Sequence, residues 1–334
     1  MVRPLQIVVT DPIVSRFESL FRQLGTRHTW KFVASLDPHE QSRQIAEADV
    51  LVCARLSDQD AQRCTAGLVH VTGAGTDRVA LKYLPESTQV ATTSHHERSI
   101  AEYVVMAILA HERRLLSITR ELTEGTWRTL ATDPNISLFR TVKDLTVGFI
   151  GMGAIGQHTL SAVTALGAKA VAVRRNPSEP STDNQNLHWV KSMEHLPELL
   201  ECSDVVVLCL PLTDATRDLI GATELSMMRS DALLVNVARG PIVNAPALID
   251  VLDQQLIGGA ALDVWWDAPT GTVVPALTQR LAAHPLVIAT PHYSGHSRET
   301  FLSRVKEICS NINGFASVAE QRKGLNSPEV ASTP

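Results

Sequence analysis

Short, nearly continuous apolar runs alternate with helical patterns along almost the whole chain. A first group comprises QIVVTD, ADVLVC, LVHVTG and QVATT. A second comprises LTVGFIG, AKAVAV, DVVVLCL, ALLVNVA, GGAALDV and PLVIAT. Runs that are β-branched and apolar at consecutive positions predict parallel strands covered on both faces. The helical stretches between them make the pattern βαβ, so the fold class is α/β with doubly wound parallel sheets. The strongest helix is predicted over about 99–122. Ser99 stands three residues before Glu102, a capping-box spacing, and Val104, Val105, Ile108, Leu109, Leu115 and Leu116 follow at helical intervals. A second helix is predicted over about 298–315. The polar, irregular stretch 123–143 reads as a long connection, and 321–334, rich in polar residues, as a loose tail.

With 334 residues the chain suits two domains, and an apolar content of 44% is enough for sizeable cores. The formal charge is −5. Without a basic block, neither nucleic acid nor an anionic membrane is an expected partner, while a small anionic substrate needs only a few local cations. The opening MVRPLQIVVTDP carries no long apolar region and no small-residue cleavage site, so no secretory signal is expected. No apolar run is long enough to span a bilayer. The five cysteines are scattered, with no C-x-x-C pair, which argues against a disulfide framework or a zinc knuckle. No metal site is expected. Cys53 and Cys209 fall inside strand-like runs and read as plain buried thiols, and a reducing cytoplasm is the expected location.

The segment LTVGFIGMGAIG contains G-x-G-x-x-G at Gly151, Gly153 and Gly156. Its position after a strand and before a helical run makes it a dinucleotide-binding signature. Gly151 suits the tight turn, Gly153 the close approach of a pyrophosphate, and Gly156 the packing of helix on strand. The N–H groups from Gly151 through Ala154 and Ile155 to Gly156 are the candidate phosphate contacts. The following strand ends in VAVRRNP. An NAD-preferring site places an acid there to bond the ribose 2′-hydroxyl, whereas Arg174 and Arg175 would pair with a 2′-phosphate. NADP is therefore favoured over NAD; the other reading is two solvated loop arginines with NAD still bound.

Several segments together resemble the D-isomer-specific 2-hydroxyacid dehydrogenases: VTGAGTDRV (71–79), SIAEYVVMAIL (99–109), VGFIGMGAIG (147–156), LCLPLTDATRDLI (208–220), LLVNVARGPIVN (233–244), GGAALDVW (258–265) and TPHYSG (290–295). They stand in the family's order and cover nearly all of the chain except the tail. The resemblance implies a Rossmann-type domain at 99–293 and a second, flavodoxin-like α/β substrate domain, discontinuous in sequence, from 1–98 and 294–320, with a site in the cleft. It also implies a homodimer formed through the helix starting near Ser99 and the arm after it. The activity implied is hydride transfer between NAD(P)H and a small 2-oxo or 2-hydroxy acid. Arg239 matches the substrate arginine, suited to hold a carboxylate and polarise a carbonyl. His292 matches the general acid/base, and imidazole titrates in the range needed to protonate an alkoxide. Ala74 and Gly75 match the loop whose N–H groups bind the substrate carboxylate. Asp263 matches a residue near the nicotinamide, Pro211 and Thr216 a cofactor-lining loop, and Val237 and Ala238 flank Arg239. His96, Trp265, Trp266 and Tyr293 cluster around these positions and are candidates for shaping the substrate pocket, or for simple packing.

One departure stands out. The family carries a glutamate before a proline, bonded to the catalytic histidine; here the stretch is DVWWDAP, with Ala268 at that position and Asp267 beside it. Asp267 would take over if the loop shifts by one residue. Without an acid, His292 loses a partner that orients it and raises its pKa. This is the one feature favouring an alternative role, a cofactor-sensing or corepressor-like protein with weakened catalysis.

Overall fold

The computed structural model of the chain describes residues 4–177, 185–267, 269 and 271–325, with 319–325 described by backbone alone. Contacts divide it into two units: Met1–His95 with Ser297–Pro334, and His96–His296.

The first unit is built on five parallel strands: β1 (Gln6–Val9), β2 (Thr29–Phe32), β3 (Val50–Cys53), β4 (Leu68–Val71) and β5 (Gln89–Ala91). Their order, β2-β1-β3-β4-β5, is that of flavodoxin-like sheets. Alternate residues serve opposite faces. Ile7, Val9, Val50 and Val52 pack with Phe21, Trp30 and with Val305, Ile308 and Ile312 of the helix Arg298–Leu325. Val8, Leu51, Cys53 and Val69 pack with Ile45 and Ala61 on the other side. Burial on both faces is why the central strands β1, β3 and β4 are apolar at nearly every position.

The second unit holds seven parallel strands: β6 (Thr146–Ile150), β7 (Lys169–Val173), β8 (Leu187–Lys191), β9 (Val205–Leu208), β10 (Leu233–Asn236), β11 (Gly259–Leu262) and β12 (Val287–Ala289). They run in the order β12-β11-β10-β9-β6-β7-β8. The direction of winding reverses between β6 and β9, the switch point beyond whose carboxyl ends open α/β sheets bind ligands. Val147, Phe149, Val205 and Val207 share one core with Val104 and Ile108. Ile150, Val206, Leu208 and Leu234 share the other with Leu199, Leu225 and Leu248.

Two strands are absent from the sequence pattern, β2 and β8, and both are sheet edges. An edge strand is wetted, so TWKF and LHWVK tolerate charge: Lys31 bonds Gln44 at 2.7 Å and Lys191 bonds Glu198 at 2.6 Å. The long helix expected over 99–122 is two helices, Glu97–Glu112 and Leu115–Thr123, broken where Arg114 turns left-handed at φ +49°. Nor does Ser99 cap it. His96 holds the N-cap position, and the Ser99 hydroxyl donates to the carbonyl of Ser294 at 2.7 Å, a tertiary acceptor that displaces the local one. The final helix runs on through Leu325, so the first residues of the expected loose tail are helical. Ala319, Glu320, Gln321, Arg322 and Lys323 are all good helix formers, which continue the helix past Phe315. Residues 326–334 lie outside the described residues. No described helix is long and apolar enough to cross a membrane.

Candidate active site

The glycine-rich turn leaves β6 at the switch point. Gly151 sits at φ +93°, and a Cβ there would lie 2.6 Å from the carbonyl oxygen of Cys209, so both conformation and space require glycine. Gly153 holds the N-cap position of the helix Ala154–Ala165, and no atom lies within 4 Å of where its Cβ would be. That open space faces the helix end, where the N–H groups of the first turn have no intrahelical partner. It fits a dinucleotide pyrophosphate; a side chain at 153 would fill it. Gly156 is buried, its Cβ position 3.0 Å from the carbonyl oxygen of Gly151. Ala154 is exposed, and Ile155 is half-buried against the core. Cys209, across from Gly151, is pushed up to about 12 by burial, so its thiol stays protonated. Cys53, fully buried on β3, is likewise pushed up to about 12.

Arg174 and Arg175 follow β7 directly. The backbone N–H of Arg174 donates to Lys191 at 3.0 Å, its side chain is half-buried, and Arg175 is exposed. After β9, Thr216 closes a turn: its hydroxyl donates to the carbonyl of Pro211 and accepts from the N–H of Thr213, both at 2.8 Å.

Beyond β10 the chain turns sharply. Asn236, wholly buried, braces this turn: its amide donates to the carbonyl of Arg239 at 3.0 Å and its carbonyl accepts the N–H of Ala238 at 3.1 Å. Val237 and Ala238 point into opposite cores of the unit, so only their backbones face outward. Arg239 is half-buried, with Nη1 donating to the carbonyl of Ala238 at 2.8 Å.

The segment carrying His292 is organised by Asp263, at the end of β11. The Asp263 carboxylate has no solvent exposure. One oxygen accepts the Thr290 hydroxyl at 2.6 Å and the N–H of Tyr293 at 2.7 Å; the other accepts the N–H and hydroxyl of Ser294 at 3.0 and 2.5 Å. Between these anchors His292 sits at φ +63°, left-handed for a residue with a Cβ, a cost of about 1–2 kcal/mol. The residue is exposed.

The other expected residues fall as follows. Trp265 and Trp266 are partly buried against the core, and their indole N–H groups donate to Thr290 at 2.9 Å and to Val243 at 2.7 Å. Tyr293 is exposed, its ring 5.6 Å from that of His296. Asp267 is exposed; Ala268 lies outside the described residues. Ala74 and Gly75 are in the first unit, exposed in the loop after β4. Among the described residues no group of three or more metal-ligating side chains is brought together. Sequence reasoning missed Tyr103, Thr290, Ser294 and Asn236 as parts of this framework. All four stand inside quoted segments, but nothing local marks their contacts, and Tyr103 lies in an apolar helix face whose periodicity hides its hydroxyl.

The profile of the family described as D-isomer specific 2-hydroxyacid dehydrogenase, NAD binding domain, matches residues 105–294. This chain belongs to the D-isomer specific 2-hydroxyacid dehydrogenase family. A Haemophilus influenzae relative, provisionally described as a 2-hydroxyacid dehydrogenase, is 27% identical over 307 residues, covering 88% of this chain and 93% of its own. A glyoxylate reductase of Aeropyrum pernix is 34% identical over 218 residues, 65% of this chain and 62% of its own. Among solved structures, the D-lactate dehydrogenase of Aquifex aeolicus, complexed with NAD and lactic acid, superposes with a TM-score of 0.79 at 23% identity, covering 96% of this chain and 98% of that one. This last likeness concerns the fold. Membership makes the unit with the seven-stranded sheet the family's NAD-binding domain, and the chain an oxidoreductase of the 2-hydroxyacid dehydrogenase type.

Proposed function

We propose that this chain reduces a small 2-oxo acid to the D-2-hydroxy acid with NADPH preferred over NADH. The observation that carries the reaction is the arrangement of the second unit: an exposed histidine, His292, fixed in a left-handed turn by a buried carboxylate, in the same unit as the braced Arg239 turn and the open glycine-rich turn. The nicotinamide, when bound, supplies the hydride. Arg239 holds the substrate's carboxylate and draws charge onto its carbonyl oxygen. As that oxygen gains charge, the His292 imidazolium gives it a proton and recovers one from solvent. The N–H groups of Ala74 and Gly75 bind the carboxylate, and His96 takes part in substrate binding. Asp267 serves as the carboxylate partner of His292, in place of the glutamate that the resemblance leads one to expect at 268.

The cofactor preference rests on Arg174 and Arg175 at the end of β7. A guanidinium there pairs with a 2′-phosphate, whereas an acid would repel it. The test is direct: NADH and NADPH oxidation with glyoxylate, hydroxypyruvate, pyruvate and bulkier 2-oxo acids. Turnover with NADPH in excess of NADH supports the reading; no turnover with any of these acids overturns it.

The proposed assembly is a homodimer. The helix Leu115–Thr123 and the segment after it expose Leu115, Leu116, Leu122, Trp127 and Leu138, beside a groove of about 480 Å³ that shares no residue with the glycine-rich turn or the His292 segment. That much exposed apolar surface suits a second copy of the chain. Light scattering in solution checks it. With all five cysteines as free thiols, a reducing cytoplasm is the proposed location.

A further inference from the structure

We infer that Tyr103 and Trp265 are positioning residues for the proton donor, acting on His292 through Thr290; this rests on the acid role proposed for His292. Thr290 lies two residues before His292, and both its carbonyl and its hydroxyl are held by neighbouring groups. The Trp265 indole N–H donates to its carbonyl at 2.9 Å, and so does the N–H of His292, at 3.0 Å. Its hydroxyl donates to Asp263 at 2.6 Å and lies 3.0 Å from the hydroxyl of Tyr103. A hydroxyl has one proton to give. Since Thr290 gives its proton to the carboxylate, Tyr103 is the donor in the second bond, and a chain runs Tyr103 to Thr290 to Asp263. Burial pushes the Tyr103 hydroxyl up to about 12, so it remains a donor at any working pH.

The two residues act on the turn from separate elements. Tyr103 comes from the helix Glu97–Glu112, buried among Val104 and Ile108; Trp265 comes from the segment after β11. Each fixes a different atom of Thr290. A left-handed histidine persists only where its surroundings over-determine it. With Asp263 already bonded to the N–H groups of the two residues after His292, these two contacts fix Thr290, two residues before it. Neither side chain needs to touch substrate for this. Losing either bond widens the range of positions open to the imidazole, and small misplacements of a catalytic group cost rate steeply.

The test uses Trp265→Phe and Tyr103→Phe, each removing one donor and keeping an aromatic ring; if the tryptophan variant fails to fold, the tyrosine variant carries the test. The expected result is a fall in kcat of about 10-fold to 100-fold, with the KM of the oxo acid and the Kd of NADPH unchanged. The solvent deuterium isotope effect should rise as proton delivery becomes more limiting. In a His292→Ala background the same substitutions should cause no further loss, because the group they position is gone. Unchanged kcat, or an equal fall in the His292→Ala background, overturns the inference. If the wild type reduces none of the acids, the reductase reading fails separately, and the imidazole NMR signals of His292 decide this one. Displaced or doubled signals in either variant support positioning, and unchanged signals overturn it.

Discussion

Gly240 lies against the backbone of Trp265: a Cβ on Gly240 would stand 2.3 Å from the Trp265 carbonyl carbon and 2.7 Å from the N of Trp266. The turn that presents Arg239 and the segment that follows Asp263 are thus packed main chain on main chain. Backbone cannot swing aside as a flexible side chain would. Gly240→Ala should therefore destabilise the second unit by about 3 kcal/mol or more. The measurement is the urea midpoint with tryptophan fluorescence; a midpoint equal to wild type would show that the two segments separate freely.

Arg174→Asp places a carboxylate at the end of β7, where it accepts from a ribose hydroxyl and repels a 2′-phosphate. The proposed preference for NADPH should reverse to NADH, read as the ratio of kcat/KM values for the two cofactors. Equal use of both by the wild type, or an unchanged ratio in the variant, refutes the role given to Arg174.

Arg239→Ala and His292→Ala should separate binding from proton delivery. The first is expected to raise the KM of the oxo acid and lower kcat together, since it removes the carboxylate and carbonyl contacts proposed for this guanidinium. The second should lower kcat by roughly 10²–10⁴-fold. Both should bind NADPH as wild type does, measured by nucleotide fluorescence. Wild-type turnover in either variant removes that residue from the mechanism.

Acid should loosen the first unit through a buried histidine. His70, wholly buried on β4, lies 3.2 Å through Nδ1 from the Val71 carbonyl and 3.0 Å through Nε2 from the Asn311 amide, which together suit a neutral ring donating at Nδ1. Burial holds its pKa below the ordinary 6.5. Between the folded and unfolded values the unfolded chain binds more protons, so stability rises with pH there and is lost as pH falls below 6.5. His111, in the second unit, is lowered by burial in the same direction. Urea midpoints should decline from about pH 7 to about pH 5, and His70→Gln should flatten part of that slope. A wild-type midpoint constant across this range contradicts the account.

The sequence by itself determined the central strands, the doubly wound class and the strand–turn–helix setting of Gly151 and Gly153, while Arg239 and His292 were singled out by the resemblance alone. The strand and turn signals are local: a strand buried on both faces is apolar at nearly every position, and a phosphate turn needs its glycines within a few residues. The edge strands β2 and β8 escaped because solvent on one side removes the apolar signal, as Lys31 and Lys191 show. The capping role expected of Ser99 was lost to the carbonyl of Ser294, 195 positions away, and the continuous helix was broken by one left-handed residue, Arg114. Tertiary structure alone decided that the Asp263 carboxylate would be buried under the His292 turn and that Tyr103 and Trp265 would meet on Thr290. These contacts join residues from a helix and two strand ends. Hydrogen bonds between polar groups so distant in sequence leave no periodicity to read, because the fold, not the spacing, brings donor to acceptor.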